Sequence, residues 1–466
     1  MGERVHAFGD DALGDHDAVA LAQLVRDGTV SAQELAAAAA ARAVRVEQLQ
    51  AVAHPTYDRP RFAERRDGAL HGVPTFIKDN TDVQGLPTNH GSEAFVARPA
   101  KRDGAYTKQY LSSGLTLLGK SRLPELGFNA TTEFMTGDPT RNPWDTDRSV
   151  GASSGGSAAL VASGVVPIAH ANDGGGSIRI PAAAAGLVGL KPTRHRHVEG
   201  EQAKRLPINM VSEGVLTRTV RDTAAFFAAA EDHWRNPELA PVGLVRGPAD
   251  RRLRVGLVLD TVNGAHVDGQ TRAAVEHTAS LLEKAGHVVE PMELPFTQQF
   301  ADDFLQYWGL LAHLATMGGR FAFDRGFDRT KTDGLTRGLS AHHRATLRST
   351  PGAIRRLRAI PRLYAAMFAH REVVLSPVLA HITPPLGHIS PTLPYDELID
   401  RLLRYVAYTP LNNIAGTPAI SLPMGMAGEG VPIGVQLSAA HGDERTLIEL
   451  AYALEAEHPF PRIERI

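Results

Sequence analysis

Two clusters of glycine and serine, separated by an apolar segment, carry the residues of this sequence best suited to nucleophilic chemistry. The first cluster, "GASSGGS", begins at Gly151, and the second, "DGGGSIR", begins at Asp173. Glycine and serine together are typical of flexible linkers. The apolar "AALVASGVVPIAH" between the clusters instead predicts a helix and a strand. We therefore expect folded structure to hold the two clusters in place.

Ser177 is the candidate nucleophile of the second cluster. It follows three glycines and precedes "IRIPAAAAG", a short alanine-rich helix that tolerates Pro181 in its first turn. Glycine lets the backbone approach a ligand closely, so the N–H groups of Gly174 to Ser177 can converge at the helix N-terminus. Such a spot stabilises an oxyanion. A tight turn with a capping serine accounts for the same residues equally well.

Lys78 is the candidate base, because a serine hydroxyl needs one to become a nucleophile. It ends the apolar "GVPTFIK", which predicts a short buried strand. A free lysine has a pKa of about 10.4, and a base working near neutral pH needs a pKa of about 7.5, a shift that burial can supply. Asp79 points to the opposite face if the strand continues. Its charge then need not keep Lys78 protonated.

Two other motifs match known patterns in letters but not in context. "GLTLLGKS", residues 114–121, fits the phosphate-loop pattern G-x-x-x-x-G-K-[ST], yet its Leu-Thr-Leu-Leu predicts a buried strand. "GASSG" fits the nucleophile elbow G-x-S-x-G at Ser153. That elbow follows an apolar strand directly, whereas the polar "TRNPWDTDRSV" precedes it here. We therefore favour neither nucleotide binding nor a Ser-His-Asp hydrolase.

The blocks "GVPTFIKDN", "GASSGGSAAL", "DGGGSIRIPA", "GLVGLKPT" and "GTPAISLPMG", in this order, resemble the amidase signature family. The likeness covers nearly the whole chain and fades between about residues 296 and 372. It implies a Ser-cisSer-Lys triad with Ser177 as nucleophile, Lys78 as base and Ser153 as the bridging serine at a cis peptide bond. It also implies an oxyanion hole and supporting residues, namely Gly174, Gly175, Gly176 and Ser177 for the hole, and Asp173, Arg179 and Ser154 for support.

Three positions depart from the family pattern. Ala152 stands where a second glycine is usual, and Asn172 stands where a threonine often precedes Asp173. His195 occupies the place of a glycine after "LKPT". The first two changes leave the triad intact, and the third changes a turn.

The expected substrate is a small neutral amide or carbamate. "TRNPW" and "AHANDGGGS" resemble bacterial amidases that act on xenobiotic amides, including nylon-oligomer (6-aminohexanoate cyclic dimer) hydrolases and urethanases. The alternative is the glutaminase subunit of a tRNA-dependent amidotransferase, whose charged pocket the sequence does not reveal. The candidate substrate-binding residues are Phe128, Phe134, Met135 and Asn172, with Tyr307 and Trp308 further along. Ordinary core packing explains their aromatic members as well.

Composition bounds the remaining function classes. The chain has 466 residues, 43% of them hydrophobic, a formal net charge of −2 and no cysteine. These values call for no nucleic acid or acidic membrane as a partner, and they exclude disulfides and thiolate metal sites. No signal-peptide h-region or long apolar span is evident. We expect a cytoplasmic enzyme without cofactor or metal, as a monomer or homodimer.

We expect one domain over residues 1–466, of α/β class. Its parts are N-terminal helices over 17–60, a catalytic core over 71–200, a variable cover of helices and loops over 296–372, and a C-terminal part of the core over 373–466. The strand-helix-strand pattern of residues 253–293 favours a substantially parallel sheet. The family resemblance implies an α/β/α sandwich with a large, twisted, mixed β-sheet covered by helices on both faces.

Overall fold

A computed structural model describes residues 2–64, 66–201, 203 and 206–465. The strands are β1 (Val52–Pro55), β2 (Pro74–Lys78), β3 (Thr116–Ser121), β4 (Arg141–Asn142), β5 (Asp145–Ser149), β6 (Ile168–Asp173), β7 (Val188–Lys191), β8 (Ser212–Thr217), β9 (Arg254–Leu257), β10 (Val288–Pro291), β11 (Val373–Pro377), β12 (Ala419–Met426) and β13 (Pro432–Ala439). The helices are α1 (Ala18–Arg26), α2 (Ala32–Arg45), α3 (Ala105–Ser112), α4 (Gly155–Ala162), α5 (Arg179–Ala185), α6 (Val220–His233), α7 (Gly269–Lys284), α8 (Gln298–Ala322), α9 (Gly334–Ala345), α10 (Thr350–Ala366), α11 (Tyr395–Tyr405), α12 (Pro410–Ala415) and α13 (Glu444–Glu457).

The central sheet has eight strands in the order β10-β9-β11-β13-β12-β7-β8-β6. The predicted β9-α7-β10 unit is present, and β9 pairs in parallel with both β10 and β11. All other neighbouring pairs of this sheet are antiparallel in the part of the chain described. The expectation of a substantially parallel sheet was therefore wrong, because a strand-helix-strand pattern governs only the strands that it joins. Short connections such as that between β12 and β13 impose antiparallel pairing. The mixed α/β sheet that the resemblance implied is confirmed.

A second sheet, in the order β1-β3-β2, carries Lys78 at the end of β2. Its strand β3 is the segment that matched the phosphate-loop letters, and every residue of β3 is buried. Lys120 of β3 forms an ion pair with Asp79, with 2.7 Å between Nζ and Oδ1. Asp79 thus faces away from Lys78, as the strand alternation predicted.

The N-terminal helices begin at capping residues. Asp17 caps α1, and Ser31 and Glu34 form a capping box at the start of α2. The apolar segment between the two glycine-serine clusters forms α4 and β6, as predicted. None of the helices in the described ranges is long and apolar enough to cross a membrane.

The cover over residues 296–372 is more helical than the sequence indicated. It consists mainly of α8, α9 and α10, and α8 alone runs for 25 residues. Aromatic and aliphatic side chains of α8 and α10 share one buried cluster, which includes Phe304, Tyr307, Leu357 and Tyr364. The two helices therefore pack around one shared apolar core.

A buried ion pair joins the end of β6 to the start of α5. Arg179 and Asp173 are both fully buried, and the Asp173 carboxylate accepts from Arg179 Nε at 2.9 Å and from Nη2 at 3.0 Å. The remaining Arg179 donors reach the Thr409 carbonyl and the amide oxygens of Asn413 and Gln436. This pair ties the second glycine-serine cluster to α12 and β13.

We expect Arg179→Met to lower the free energy of unfolding by roughly 3–5 kcal/mol, because it leaves the Asp173 carboxylate buried without its partner. Urea unfolding followed by circular dichroism measures this change. Arg404→Met is the matched control, since Arg404 is exposed and, among the residues described, pairs only with Asp400 on the same helix. That control is expected to cost about 0.5 kcal/mol or less. Equal losses in the two variants would contradict the structural role of the buried pair.

Candidate active site

Lys78 lies in the interior of the protein with two polar partners. Its side chain is fully buried, and its Nζ lies 2.7 Å from Ser153 Oγ and 2.7 Å from Asn172 Oδ1. Ser153 is itself buried and follows a cis peptide bond with Ala152, as the family resemblance implies. The structure therefore brings the predicted base and the predicted bridging serine into direct contact.

The surroundings of Lys78 favour its neutral form. Burial lowers the pKa of Lys78 to about 7, against the opposing effect of the Glu213 and Asp173 carboxylates. The charged ammonium loses its hydration in the interior, which is why desolvation dominates. A substantial fraction of Lys78 is then unprotonated at neutral pH. That is the state in which an amine can accept a proton.

Ser177 is partly exposed, whereas Lys78, Ser153 and Ser154 are buried. Its hydroxyl forms no hydrogen bond with the residues that the structure describes, so the Lys78–Ser153 contact does not extend to Ser177 here. Ser154, the next residue of the first cluster, donates weakly through its hydroxyl to the Asn172 carbonyl at 3.4 Å. The candidate nucleophile is thus the member of the group that solvent can reach.

The backbone N–H groups of the second cluster fall into two sets. That of Gly176 donates to Asp173 Oδ1 at 2.7 Å, and that of Ile178 donates to Asp173 Oδ2 at 3.1 Å. Those of Gly174, Gly175 and Ser177 have no acceptor among the described residues. The sequence interpretation counted Gly176 among the oxyanion donors, but in the structure the Asp173 carboxylate already occupies that N–H.

Asp173 holds this loop through hydrogen bonds to its backbone N–H groups, and Arg179 pairs with Asp173. Burial by itself raises the pKa of Asp173, but the Arg179 guanidinium and the hydrogen bonds of the site outweigh burial and hold that pKa well below its usual range. The permanent carboxylate fixes the turn by accepting from its backbone N–H groups. Gly176 has φ +135°, and a methyl group placed on its Cα would lie 2.4 Å from Thr409 Oγ1. Only glycine fits there.

Asn172 faces Lys78 rather than open space. Its Oδ1 accepts from Lys78 Nζ and, at 3.2 Å, from Asn80 Nδ2. The residue that replaces the family's usual threonine therefore contacts the candidate base. His195, in place of the usual glycine, has φ +63°, the left-handed conformation that glycine adopts readily. Its Nδ1 lies 2.6 Å from Glu199 Oε1.

The aromatic candidates for substrate binding are placed differently from one another. Phe128 is half-buried. It packs against the cluster that contains Phe304 and Tyr307, and also against a second apolar cluster that contains Leu339 and Leu402. Phe134 lies under the Arg122 guanidinium, 4.3 Å from ring centre to Cζ, and Met135 is 38% exposed. No hydrogen bond, ion pair or ring contact links Phe134 or Met135 to the serine-lysine group in the described ranges.

Sequence reasoning left three residues near the site unassigned. The Phe304 ring lies against the loop of the second cluster. A methyl group placed on Gly175 would be 3.5 Å from Phe304 Cζ. The Lys78 backbone N–H donates to His170 Nδ1 at 3.2 Å, and His170 Nε2 lies 2.9 Å from Glu213 Oε2. The alternation of "HAND" put His170 and Asn172 on one face of a strand, which was the available signal.

The described residues include no cluster of side chains suited to binding a metal ion. The chain contains no cysteine, and no group of three or more His, Asp or Glu suited to holding a metal ion occurs among the described residues. What the arrangement offers is a buried amine of lowered pKa, two serines and free backbone N–H groups. These are the parts of a nucleophilic serine site.

Comparison with known proteins places the chain among related enzymes. A family profile described as Amidase matches residues 30–448. A putative amidase AmiC of Mycobacterium leprae (strain TN) is 49% identical, with 99% of each chain covered. The solved 6-aminohexanoate cyclic dimer hydrolase has a TM-score of 0.84 and 29% identity, covering 98% of this chain and 99% of its own. A bacterial aryl acylamidase of the amidase signature family has a TM-score of 0.83 and 25% identity, covering 96% of this chain and 97% of its own.

The profile match spans most of the sequence, and the structural likeness extends over both the central sheet and the helical cover. The chain thus belongs to the amidase signature family and is a hydrolase of amide C–N bonds.

Proposed function

We propose that Ser177, Ser153 and Lys78 act as a catalytic triad on C–N bonds of neutral amides, including aryl amides and carbamates. The observation that carries this proposal is the fully buried Lys78, whose Nζ lies 2.7 Å from Ser153 Oγ. Its pKa of about 7 leaves a neutral amine available at physiological pH. The partly exposed Ser177 stands on the adjoining loop, where a substrate carbonyl can reach it.

In the first half-reaction the neutral Lys78 amine accepts the proton of Ser153, while Ser153 accepts that of Ser177. Ser177 Oγ then forms a bond to the carbonyl carbon, and the carbonyl oxygen becomes an oxyanion. The free N–H groups of Gly174, Gly175 and Ser177 are the donors that stabilise this charge. The relay requires Ser177 to turn its hydroxyl toward Ser153 when substrate is bound, because the two hydroxyls are not hydrogen-bonded in the free enzyme. Catalytic hydrogen bonds often tighten only in the complex.

Collapse of the oxyanion breaks the C–N bond. The proton held by Lys78 returns through Ser153 to the departing nitrogen, which leaves as an amine, and the acyl group stays on Ser177. In the second half-reaction water gives its proton to the same relay and attacks the acyl carbon. The acid is released; when the substrate is a carbamate cleaved at its C–N bond, this product is a carbonic acid monoester, which loses carbon dioxide to leave the alcohol. Ser177 regains its proton, so the enzyme is restored.

The wall beside the oxyanion loop supports a neutral, apolar substrate. Phe304 lies against Gly175, and its ring centre is 6.1 Å from that of Trp308, one turn further along α8. Phe128 packs against the same clusters. Met210 and Val211 border the neighbouring Gly174. Desolvating an aromatic group against such a wall is favourable, whereas a charged group there loses its hydration without gaining a partner.

Arg179, two residues after Ser177, is unavailable to a substrate carboxylate. Its five donors are directed at Asp173 and at acceptors on α12 and β13. Free glutamine is zwitterionic at its α-carbon and needs two charged partners. The names of the similar proteins, a cyclic dimer hydrolase and an aryl acylamidase, agree with a substrate of uncharged amide groups.

We expect Ser177→Ala to lower kcat/KM for an anilide by at least about 10⁴-fold, because no other hydroxyl can form the acyl-enzyme. Ser153→Ala should lose less, since a water molecule can partly replace the bridging hydroxyl. A fluorophosphonate should label Ser177, and peptide mass spectrometry locates the adduct. Labelling at Ser153 would instead support a nucleophile-elbow enzyme and contradict this assignment.

We expect kcat/KM to rise with pH through one group near pH 7 and then to level off on the alkaline side. The sign follows from the base role: below its pKa Lys78 is an ammonium and cannot accept a proton, and above it the amine is free. Lys78→Arg should be nearly inactive at every pH, because the guanidinium stays protonated. A Lys78→Arg enzyme of near-native rate would assign the base to another group.

We expect neutral anilides and N-aryl carbamates to be cleaved at least about 100-fold more efficiently than free glutamine. Leaving a buried charge unpaired costs several kcal/mol, and about 1.4 kcal/mol corresponds to a factor of ten. N-aryl carbamates should also react faster than N-alkyl carbamates, because aniline is the better leaving group. Comparing kcat/KM for the four substrates tests both points. A preference for glutamine, or activity only with a partner subunit, would favour an amidotransferase subunit.

A further inference from the structure

Strand β6 contacts Lys78 at both ends of the residue. His170 Nδ1 accepts from the Lys78 backbone N–H at 3.2 Å, and Asn172 Oδ1 accepts from Lys78 Nζ at 2.7 Å. His170 and Asn172 are two residues apart and so share one face of β6. Residues at this spacing lie about 6.7 Å apart along a strand, which is close to the reach of an extended lysine side chain. The strand thus offers one acceptor to the main chain of Lys78 and another to its amine.

The hydrogen bonds fix the tautomer of His170. Because Nδ1 accepts from a backbone N–H, that nitrogen carries no proton, and the ring proton belongs to Nε2. Nε2 then donates to Glu213 Oε2 at 2.9 Å. A neutral imidazole can serve both partners at once, whereas an imidazolium has no acceptor left for Lys78. Burial lowers the pKa of His170, although the hydrogen bond that His170 donates to Glu213 acts in the opposite direction, and this lowering agrees with a neutral ring.

Glu213 reaches this position through the register of the sheet. In the β6–β8 pair Asn172 lies opposite Glu213, and His170 lies opposite Val215. Residues directly opposite share a face, and the diagonal neighbour two positions away is within reach of a long side chain. Glu213 can therefore hold His170 from the same face on which Asn172 holds Lys78 Nζ. His170, Asn172 and Glu213 are all buried, at 0%, 7% and 6% exposure.

We infer that His170 and Glu213 are positioning residues for Lys78: they anchor its main chain while Asn172 orients its amine toward Ser153. This inference rests on the proposed function, in which Lys78 is the base. The Asn172 oxygen can only accept, so it engages one N–H of the amine. That contact leaves the lone pair of a neutral Lys78 free to face the Ser153 hydroxyl.

The carboxylate of Glu213 has a second effect, on charge. Burial lowers the pKa of Lys78, and Glu213 opposes that shift more strongly than Asp173 does. The Asp173 carboxylate is already paired with Arg179. The other ionisable groups on the elements packed against β2 are engaged elsewhere or neutral. Lys120 of β3 pairs with Asp79, Arg42 and Arg45 of α2 pair with Asp11, and Glu34 of α2 accepts from Ser31. Burial lowers the pKa of His90, in the loop after β2, to about 4.

Glu213→Gln separates the two effects. The amide keeps an oxygen for His170 Nε2–H, so the anchor survives, but the negative charge is lost. Lys78 is then harder to protonate, and we expect the acidic limb of the kcat/KM profile to move to lower pH by about half a unit or more. The plateau value of kcat should stay within about threefold of the parent. A limb at the unchanged pH would overturn the electrostatic part of the inference.

His170→Leu removes the anchor, and His170→Asn tests its rescue. Leucine cannot accept from the Lys78 N–H, so we expect kcat for an anilide to fall at least about tenfold while KM changes less than about twofold. Asparagine can place its Oδ1 near the former Nδ1, and we expect it to restore kcat to within about threefold. Parental kcat in the leucine variant, or an asparagine variant as slow as leucine, would overturn the anchor.

His343→Leu is the matched control for loss of a buried histidine. His343 lies on α9, where its Nδ1 is 3.2 Å from Gln306 Nε2, and its other polar and ring partners among the described residues are Thr350 and His313, which lie outside β2. We expect this variant to lose stability but to keep the kcat and the acidic limb of the kcat/KM profile that the wild-type enzyme shows. A loss of kcat in both leucine variants would mark a general packing defect and overturn the inference.

The wild-type enzyme and Lys78→Arg, measured alongside, distinguish a failure of the proposed triad from a failure of the positioning role inferred for His170 and Glu213. A missing wild-type limb or an active Lys78→Arg would overturn the proposed triad and this inference together. A normal limb with an inactive Lys78→Arg leaves the triad standing whatever the His170 and Glu213 variants show.

Discussion

The buried ion pair between Asp173 and Arg179 is the interaction on which the rest of the site depends. Two charges removed from water are stable only when every donor and acceptor has a partner, and here the Asp173 carboxylate serves the guanidinium, Asn413 Nδ2 and the N–H groups of the following turn. Satisfying that carboxylate forces the chain into a tight turn after β6. The same turn leaves the N–H groups of Gly174, Gly175 and Ser177 without an acceptor among the described residues, since the Asp173 carboxylate takes those of Gly176 and Ile178.

A second constraint acts at Lys78, whose amine is buried and must also be held in a fixed orientation. Burial makes the ammonium costly, and polar partners determine where the neutral amine points. Ser153 and Asn172 supply those partners at the amine, and His170 supplies one at the main chain. The ion pair of Asp79 with Lys120 keeps the neighbouring carboxylate away. A surface lysine on a flexible stem meets neither requirement.

The helical cover borders the candidate site. Helix α8 lays Phe304 against Gly175 in the loop of the second cluster and continues into a cluster shared with α10. The same packing that stabilises the cover therefore forms one wall beside the candidate nucleophile. Change in the cover can alter which acyl or amine groups fit without disturbing Asp173, Arg179 or Lys78. This is also the part of the chain where the sequence blocks of the family fade.

The sequence by itself determined the elements and the chemistry that local patterns encode. The capping box at Ser31, the buried strand ending in Lys78 and the short helix after Ser177 depend on neighbours within a few residues, and so does the glycine loop. The family blocks added the mixed sheet and the cis bond before Ser153. Only the tertiary structure decided the pairing of the sheet, since antiparallel order depends on strands far apart in the chain. It also decided that Asp173 occupies the Gly176 N–H, that Asn172 contacts Lys78, and that His170 and Glu213 meet. These contacts join residues up to 94 positions apart, and their distances and burial arise only when β2, β6 and β8 pack together.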